Sequence, residues 1–482
     1  MRQDRGEPDD DDDLGRPGEP VQDPLLRAVP GRHPEPDAGA LSKRFTGHDL
    51  AATGTTAAGE KRRGVLGWLQ LLGPGLITGA SDDDPSGIGT YSQVGSRFGY
   101  SLLWTSLFTF PLMAAVQELC ARVALHTGVG MATALRRRFP TWLVGVCIVA
   151  LFAANTINAG ADLGAIAAGG SLLTRNAIPP LWLVAPVGAL IVGLQLFLSY
   201  GAIFKIFKWL TLALFAYVAT GVLVHPDVRQ VVYSTLVPQL RFDRDYIGAL
   251  VALLGTTISP YLFFWQASSE VDEMRAAGKR TEAERRGVNR SELRRARTDI
   301  VVGMLFSNLV MFFIMVTAAT VLHAHGKTDV ESAEQAAQAL APLAGQWSFV
   351  LFAVGMIGTG LLAMPILTGS AAYAVRDFLG LKGALSDKPS YRPTFYAIMV
   401  ISTVIGVALN LVGIDTMRAL YLTAIINGMV APPILILIVV LGSDRDVMAG
   451  RTSGRLSKAL TWATVGLMCA AAAGLIITQV AS

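Results

Sequence analysis

The sequence predicts an all-α polytopic membrane protein, built as two five-helix halves of inverted topology followed by an eleventh helix. Three observations predict it. Of the 482 residues, 52% are hydrophobic and 16% charged, against roughly 25% charged in an average soluble domain. Beyond residue 64, apolar segments recur near the ~20-residue length that crosses a hydrocarbon core of about 30 Å. The first and sixth of these segments share one defect, a proline among small polar residues in mid-segment.

The elements follow in order. Residues 1–64 hold the run Asp9–Asp13 and seven of the 23 prolines, too little apolar surface to offset chain entropy, so a disordered cytoplasmic tail is expected. This tail has no basic start followed by an apolar stretch of the kind a secretory signal needs. Eleven spans are expected at about 66–96 (interrupted), 101–125, 142–172, 181–200, 204–224, 247–269 (interrupted), 299–323, 347–375, 393–413, 418–441 and 457–479. The halves are then 65–246 and 247–445, and the last helix lies in 446–482. With the N-terminus inside, the connections placed on the inner face carry 25 Lys and Arg, among them Lys61–Arg63, Arg136–Arg138, Lys205 and Lys208, and those on the outer face carry seven. Because cytoplasmic loops are enriched in Lys and Arg, this asymmetry supports eleven spans, a cytoplasmic N-terminus and an extracytoplasmic C-terminus in a plasma membrane, an inner membrane of bacterial type.

The high glycine count of 49 suits close helix packing. A net charge of +4, dispersed in short clusters, excludes nucleic-acid binding. Cys120, Cys147 and Cys469 lack the spacing of a disulfide framework or zinc site and read as small core residues. The sequence shows no ATP-binding motif and implies no cofactor.

The first span contains Ser81-Asp82-Asp83-Asp84-Pro85-Ser86-Gly87. Proline removes a backbone donor and clashes with the preceding turn, so nearby carbonyls need protein, water or an ion as partner. Ionisable side chains at membrane depth are functional hypotheses by default. The sixth span carries Gly255-Thr256-Thr257-Ile258-Ser259-Pro260-Tyr261. Paired discontinuous helices in corresponding positions of two halves point to a site between them. The carboxylate of Asp84, with neutral oxygens around it, makes that a cation site. Asp83, Ser81, Gly87, Thr257 and Ser259 join Asp84 as candidate metal-contacting residues. Asp82 and Asp83 also admit a reading as caps, or as carboxylates at the aqueous mouth.

These residues resemble the natural-resistance-associated macrophage protein (NRAMP) family of divalent-metal transporters. The stretch GPGLITGASDDDPSG is similar to that family's first-helix GPG and Asp-Pro-Gly-Asn motif, with Asp84 at the metal-binding aspartate. Gly95, Leu102-Leu103-Trp104, Gln117, Ala121-Arg122, Thr127-Gly128 and Ala161-Asp162-Leu163 extend the resemblance, and GTTISPY resembles the sixth-helix Gly-Ala-Thr-Val-Met-Pro-His. It covers about residues 65–445 and implies a LeuT-type fold.

The departures carry information. Where the family has a first-helix asparagine this chain has Gly87, where it has a sixth-helix methionine there is Ser259, and its two sixth-helix histidines are Tyr261 and Gln266. Oxygen ligands and retained water suit Mg²⁺, whereas a thioether favours softer ions. The pattern is similar to the NRAMP-related magnesium transporter branch, which implies transport of Mg²⁺ and Mn²⁺. Loss of both histidines, and of the acidic neighbour of Asp162 (Ala165 here), removes groups that titrate near neutral pH. Import by alternating access without proton coupling is therefore expected, with Asp162 either a proton relay or a buried carboxyl held by Asn158 or water. Asn427, in a tenth span that resembles the family's metal-binding tenth helix, is a candidate ligand or an inter-helix hydrogen-bonding group. Asn308 and Asn410 invite the second reading, Glu118 and Arg122 read as a structural pair, and Arg275–Arg297 as a lipid-facing orienting cluster.

The expected partners are the lipid bilayer and divalent cations; a monomer is compatible with the sequence, which leaves the oligomeric state open. The competing readings are a proton-coupled Mn²⁺ or Fe²⁺ importer, a sodium-coupled amino-acid carrier, a metal sensor, and a membrane-embedded hydrolase using Asp84 and Asp162. Three neighbouring carboxylates repel an amino-acid carboxylate, and matched helix breaks are unnecessary for hydrolysis.

Overall fold

The computed structural model of the chain describes residues 74–198 and 213–480, apart from 386, 388, 449 and 451. The expected disordered tail with Asp9–Asp13, the basic triplet Lys61–Arg63, the start of the first span and most of the fifth, with Lys205 and Lys208, lie outside the described residues.

Helices follow one another with short connections. They are α1 (Pro74–Asp82), α2 (Pro85–Phe98), α3 (Trp104–Thr127), α4 (Met131–Arg138), α5 (Thr141–Leu173), α6 (Pro180–Phe197), α7 (Phe215–Leu223) and α8 (Val228–Leu236). After these come α9 (Arg244–Thr257), α10 (Pro260–Ala276), α11 (Arg290–Val321), α12 (Ser348–Leu379), α13 (Pro393–Asn410), α14 (Thr416–Ser443) and α15 (Arg455–Val480). Among the described residues, nine stretches are long and apolar enough to cross a membrane, α9 and α10 counting as one. The interrupted pair α1 and α2 occupies the place of the first expected span, and α7 is the described part of the fifth.

Both expected breaks are present. Pro85 and Pro260 each open the second half-helix at its first position, where a missing N–H costs nothing. Asp84 and Ser259, in extended conformation, precede them as N-caps.

The alternation of loops is also visible. Arg137 pairs with Glu282 at 2.7 Å and Arg138 with Asp444 at 2.6 Å, and Arg136 donates to the Phe378 carbonyl, so connections assigned to the inner face meet at one end of the bundle. At the other end Arg97 pairs with Asp245 at 2.7 Å, and His323 contacts the Ser96 carbonyl at 2.7 Å.

Close backbone approach fixes the breaks. A Cβ added to Gly79 on α1 would strike the Gly303 carbonyl of α11, and one added to Gly255 on α9 would strike the Ala424 carbonyl and Gly428 amide of α14. Glycine is required at both places because only a bare Cα lets these helices pack.

Several expectations meet the structure directly. Glu118 and Arg122 pair at 2.9 Å. Asn410 donates to the Gly160 carbonyl at 2.8 Å and Asn308 to that of Ser106, as inter-helix bonds. Cys120 and Cys147 are buried and Cys469 is half-buried, all three free. The Arg275–Arg297 segment, read as lipid-facing, needs correction. Arg285 is buried, and its guanidinium donates to the carbonyls of Gly128 at 2.9 Å and Lys279 at 3.3 Å. A guanidinium's several donors can satisfy a loop's orphan carbonyls, and here they tie the loop to the end of α3.

Candidate cation site

The two breaks face each other. The Tyr261 hydroxyl, in the first turn of α10, donates to the Ser81 carbonyl at 3.1 Å and approaches Asp84 Oδ2 at 3.4 Å. Ser370 on α12 donates to the Tyr261 carbonyl at 2.6 Å, fixing that turn.

Asp84 is the hub. Its Oδ1 accepts from the Ser86 hydroxyl at 2.7 Å and the Gly87 amide at 2.8 Å, the geometry of a side chain capping a helix N-terminus. Its Oδ2 accepts from Asn158 Nδ2 at 3.1 Å, besides the Tyr261 hydroxyl. The carboxylate is therefore held from three helices, at the positive end of the α2 dipole, and is 1% exposed.

The other candidates take distinct places. Ser81 donates its hydroxyl to the Ile77 carbonyl at 2.6 Å. Thr257 donates to the Leu253 carbonyl at 2.7 Å, and Ser259 to the carbonyls of Thr256 at 2.7 Å and Gly255 at 3.0 Å. A carbonyl cannot donate, so each hydroxyl has committed its single hydrogen and keeps only lone pairs for other partners. Gly87 borders the same space: a Cβ there would lie 3.3 Å from the Asp82 carbonyl oxygen and 3.4 Å from the Thr256 hydroxyl. Asn427 on α14 is buried, and among the described residues neither of its side-chain polar atoms has a hydrogen-bond partner, so the reading as an inter-helix hydrogen-bonding group finds no bond there.

Asp82 and Asp83 are wholly buried, which removes the reading that places them at the aqueous mouth. The Ser307 hydroxyl of α11 lies 2.6 Å from Asp82 Oδ2 and 3.2 Å from Asp83 Oδ1. Asp162 is equally buried, and neither of its oxygens receives a hydrogen bond of ordinary geometry; the Ser86 amide is the backbone group that faces it. The expectation that Asn158 holds Asp162 is therefore corrected. Asn158 turns to Asp84, the carboxylate at the helix break.

Sequence reasoning missed Ser86, Ser307 and Tyr91. Ser86 was readable as part of the break motif. Ser307 stands beside Asn308 in the apolar stretch of α11 and Tyr91 among Thr90, Ser92 and Gln93 of α2, and nothing local marks their partners. Among the described residues, no group of three or more His, Cys, Asp or Glu side chains is arranged to hold a metal ion. Any cation held at the breaks must therefore draw on carbonyls, hydroxyls and water besides carboxylates.

The natural resistance-associated macrophage protein-like family model matches residues 75–478. The chain belongs to the NRAMP family. A divalent metal cation transporter, MntH, of Deinococcus radiodurans is 26% identical over 444 residues, covering 90% of this chain and 94% of that protein. The structure of a manganese transporter from Eremococcus coleocola superposes with a TM-score of 0.67 at 18% identity, covering 90% of this chain and 94% of that one. Mhp1, a nucleobase-cation-symport-1 family transporter, follows with a TM-score of 0.51 at 15% identity, covering 84% of this chain and 91% of the other. This NRAMP chain thus has the fold expected of it: a LeuT-type inverted repeat with its first and sixth spans broken, to which an eleventh helix is added. That assignment makes the first break, with Asp84, and the second, with Ser259, corresponding elements of the two halves.

Proposed function

We propose that this NRAMP protein imports Mg²⁺, and Mn²⁺ with it, across the plasma membrane by alternating access, as a uniporter. One observation carries the reading: Asp84 stands at the junction of the two breaks, held by Ser86, Gly87, Asn158 and Tyr261, while on the same breaks the hydroxyls of Ser81, Thr257 and Ser259 donate to carbonyls one turn back and can only accept from other partners. Such a set of oxygens attracts a cation and repels an anion, which disfavours an amino-acid substrate. Family membership makes the protein a transporter rather than a hydrolase.

Hard oxygen donors without a thioether, and water retained on the ion, suit Mg²⁺. With an inside-negative potential, a divalent ion gains about 4.6 kcal/mol per 100 mV on entering, so uptake needs no coupled proton. The reading has the N-terminus in the cytoplasm and the C-terminus outside, supported by the Lys and Arg asymmetry of the connections.

The test is flux into liposomes with Mg²⁺, Mn²⁺ and Ca²⁺, with internal pH recorded. Mg²⁺ uptake that is abolished in Asp84→Ala and leaves internal pH unchanged supports the proposal. A second reading, proton-coupled Mn²⁺ or Fe²⁺ import, is favoured by the buried carboxyl of Asp162, which faces the Ser86 amide. It predicts acidification that follows metal entry and disappears in Asp162→Asn.

A further inference from the structure

On one side of the breaks, α1 and α10 are joined by two hydrogen bonds. The Tyr261 hydroxyl donates to the Ser81 carbonyl at 3.1 Å. About one turn further from the breaks, Thr78 donates its hydroxyl to Gln266 Oε1 at 2.7 Å. The bonds recede along α1 while advancing along α10, so the two half-helices lie antiparallel against each other. α10 leads from the break to the loop whose Glu282 meets Arg137. The contacts therefore stand between Asp84 and the end of the bundle where the basic connections gather.

The bonding groups of α10 are themselves held in place. Gln266 Nε2 donates to Glu270 Oε1 at 2.9 Å, which turns the amide oxygen toward Thr78. The Tyr261 carbonyl accepts from Ser370 of α12 at 2.6 Å, so the first turn of α10 is tied to a third helix. Thr78, Tyr261 and Gln266 are buried, as is Asp84. Tyr261 and Gln266 stand where the resemblance implies two histidines, and they supply fixed hydrogen bonds where a histidine would change its charge. A cation that leaves Asp84 between α1 and α10 breaks both bonds on its way.

We propose that Tyr261 and Gln266 are positioning residues that latch α1 to α10 while the site is closed, and that the latch opens once per transport cycle to release the cation toward the cytoplasm. Each bond biases the closed state about five-fold, the worth of an ordinary neutral hydrogen bond, so the pair holds the half-helices together and still yields. This inference rests on the alternating-access reading above and adds to it the contacts that break.

The experiment is hydrogen–deuterium exchange of the purified full chain in lipid nanodiscs, without divalent cation, read by mass spectrometry. Thr78→Val keeps the shape of its side chain and Gln266→Met its length. Each is expected to speed exchange in α1 and the first turns of α10 about five-fold, while α2 and α9, the half-helices beyond the breaks, exchange as in the wild type. Thr78→Val and Gln266→Met remove the same bond, so together they are expected to match the faster single variant within about two-fold. Tyr261→Phe removes the other bond, and with Thr78→Val the effects should multiply to about 25-fold. In liposomes Thr78→Val is expected to raise Mn²⁺ turnover at least about two-fold with KM within about three-fold. Wild-type exchange in Thr78→Val, or a rise shared equally by α2 and α9, overturns the latch, and unchanged turnover overturns its opening in the cycle. Should Gln266→Met fail to fold, Thr78→Val and Tyr261→Phe decide alone. Exchange is measured without ion, so the latch is judged apart from the cargo: expected exchange beside an Asp84→Ala variant that still transports refutes the ion site and leaves the latch standing.

Discussion

Asp84→Asn should leave the fold intact and remove transport. The amide oxygen can keep the Ser86 and Gly87 donors, as asparagine caps helices as well as aspartate does. Its NH₂ then faces Asn158 Nδ2 and the Tyr261 hydroxyl. Asn158 has an unpartnered Oδ1, so turning its amide over supplies an acceptor, and the Tyr261 hydroxyl, already donating to the Ser81 carbonyl, can accept through a lone pair. All four bonds to a charged group become neutral ones, a loss of about 1 kcal/mol each, and the cost of burying a charge is lifted in compensation. Melting should therefore move by no more than about 4 °C. The ion fares differently. At about 4 Å and an effective dielectric of about 20, a divalent cation and one carboxylate attract by about 8 kcal/mol. Even a quarter of this, about 2 kcal/mol, weakens binding about thirty-fold. Uptake into proteoliposomes under a fixed inside-negative potential measures the loss, and size-exclusion profile and melting report the fold. Uptake within three-fold of wild type, by a variant that is folded, would refute Asp84 as a ligand.

Three further outcomes can be checked. Ser259→Met places a thioether at the second break, and calorimetry should show Cd²⁺ binding at least ten-fold tighter than in the parent; unchanged Cd²⁺ affinity would remove Ser259 from the ion's surroundings. Gly255→Val drives a side chain into the α14 backbone at Ala424 and Gly428, so melting followed by fluorescence-detected chromatography should fall by the equivalent of about 1–3 kcal/mol, and unaltered melting would disprove the close approach of α9 and α14. Glu282, in the loop before α11, is held at about 2 by its hydrogen bonds to Arg137. A carboxyl lowered on folding contributes above its unfolded pKa of about 4.5, and the contribution disappears as pH falls toward 2. With Arg137 about half exposed, it is worth at most about 1 kcal/mol. The melting difference between wild type and Glu282→Gln should be present at pH 7 and shrink below about 4.5; a gap that widens in acid contradicts the pairing.

The sequence made the breaks legible because proline acts locally. Pro85 and Pro260 end one half-helix and begin the next whatever surrounds them, and their recurrence in two halves identifies where the chain folds a site. Residues whose function depends on a distant partner were less accessible. Asn158 lies four positions before Asp162, and that helical spacing suggests a pair, yet its amide crosses the bundle to Asp84, the carboxylate that caps a half-helix. Ser307 is an ordinary polar residue in an apolar helix until α11 brings it against Asp82 and Asp83. Arg285 sits in a dense run of positive charge that reads as an orienting, lipid-facing cluster, but the loop's orphan carbonyls draw it inward. Local backbone rules thus carry through to the structure, whereas helical spacing alone finds the partner for Glu118 and Arg122 and misses it for Asn158 and Asp162.

The polarity of the breaks ties these residues to the choice of ion. Hydroxyls are ambivalent, and a site lined by serine and threonine can solvate either sign of charge. Here the ambiguity is removed within each half-helix. Ser81, Thr257 and Ser259 donate their hydrogens to carbonyls one turn back, so each keeps only lone pairs for another partner. Donors are concentrated on Asp84 itself, where Asn158 and Ser86 hold the carboxylate without neutralising it. Gly87 is closely bordered: a Cβ there would lie 3.3 Å from the Asp82 carbonyl oxygen and the Tyr91 ring and 3.4 Å from the Thr256 hydroxyl. A soft ion gains nothing from oxygens it binds weakly and loses its thioether, whereas Mg²⁺ keeps the waters it sheds reluctantly. On the proposed reading, Ser259 supplies an oxygen that can only accept where a thioether would favour a soft ion.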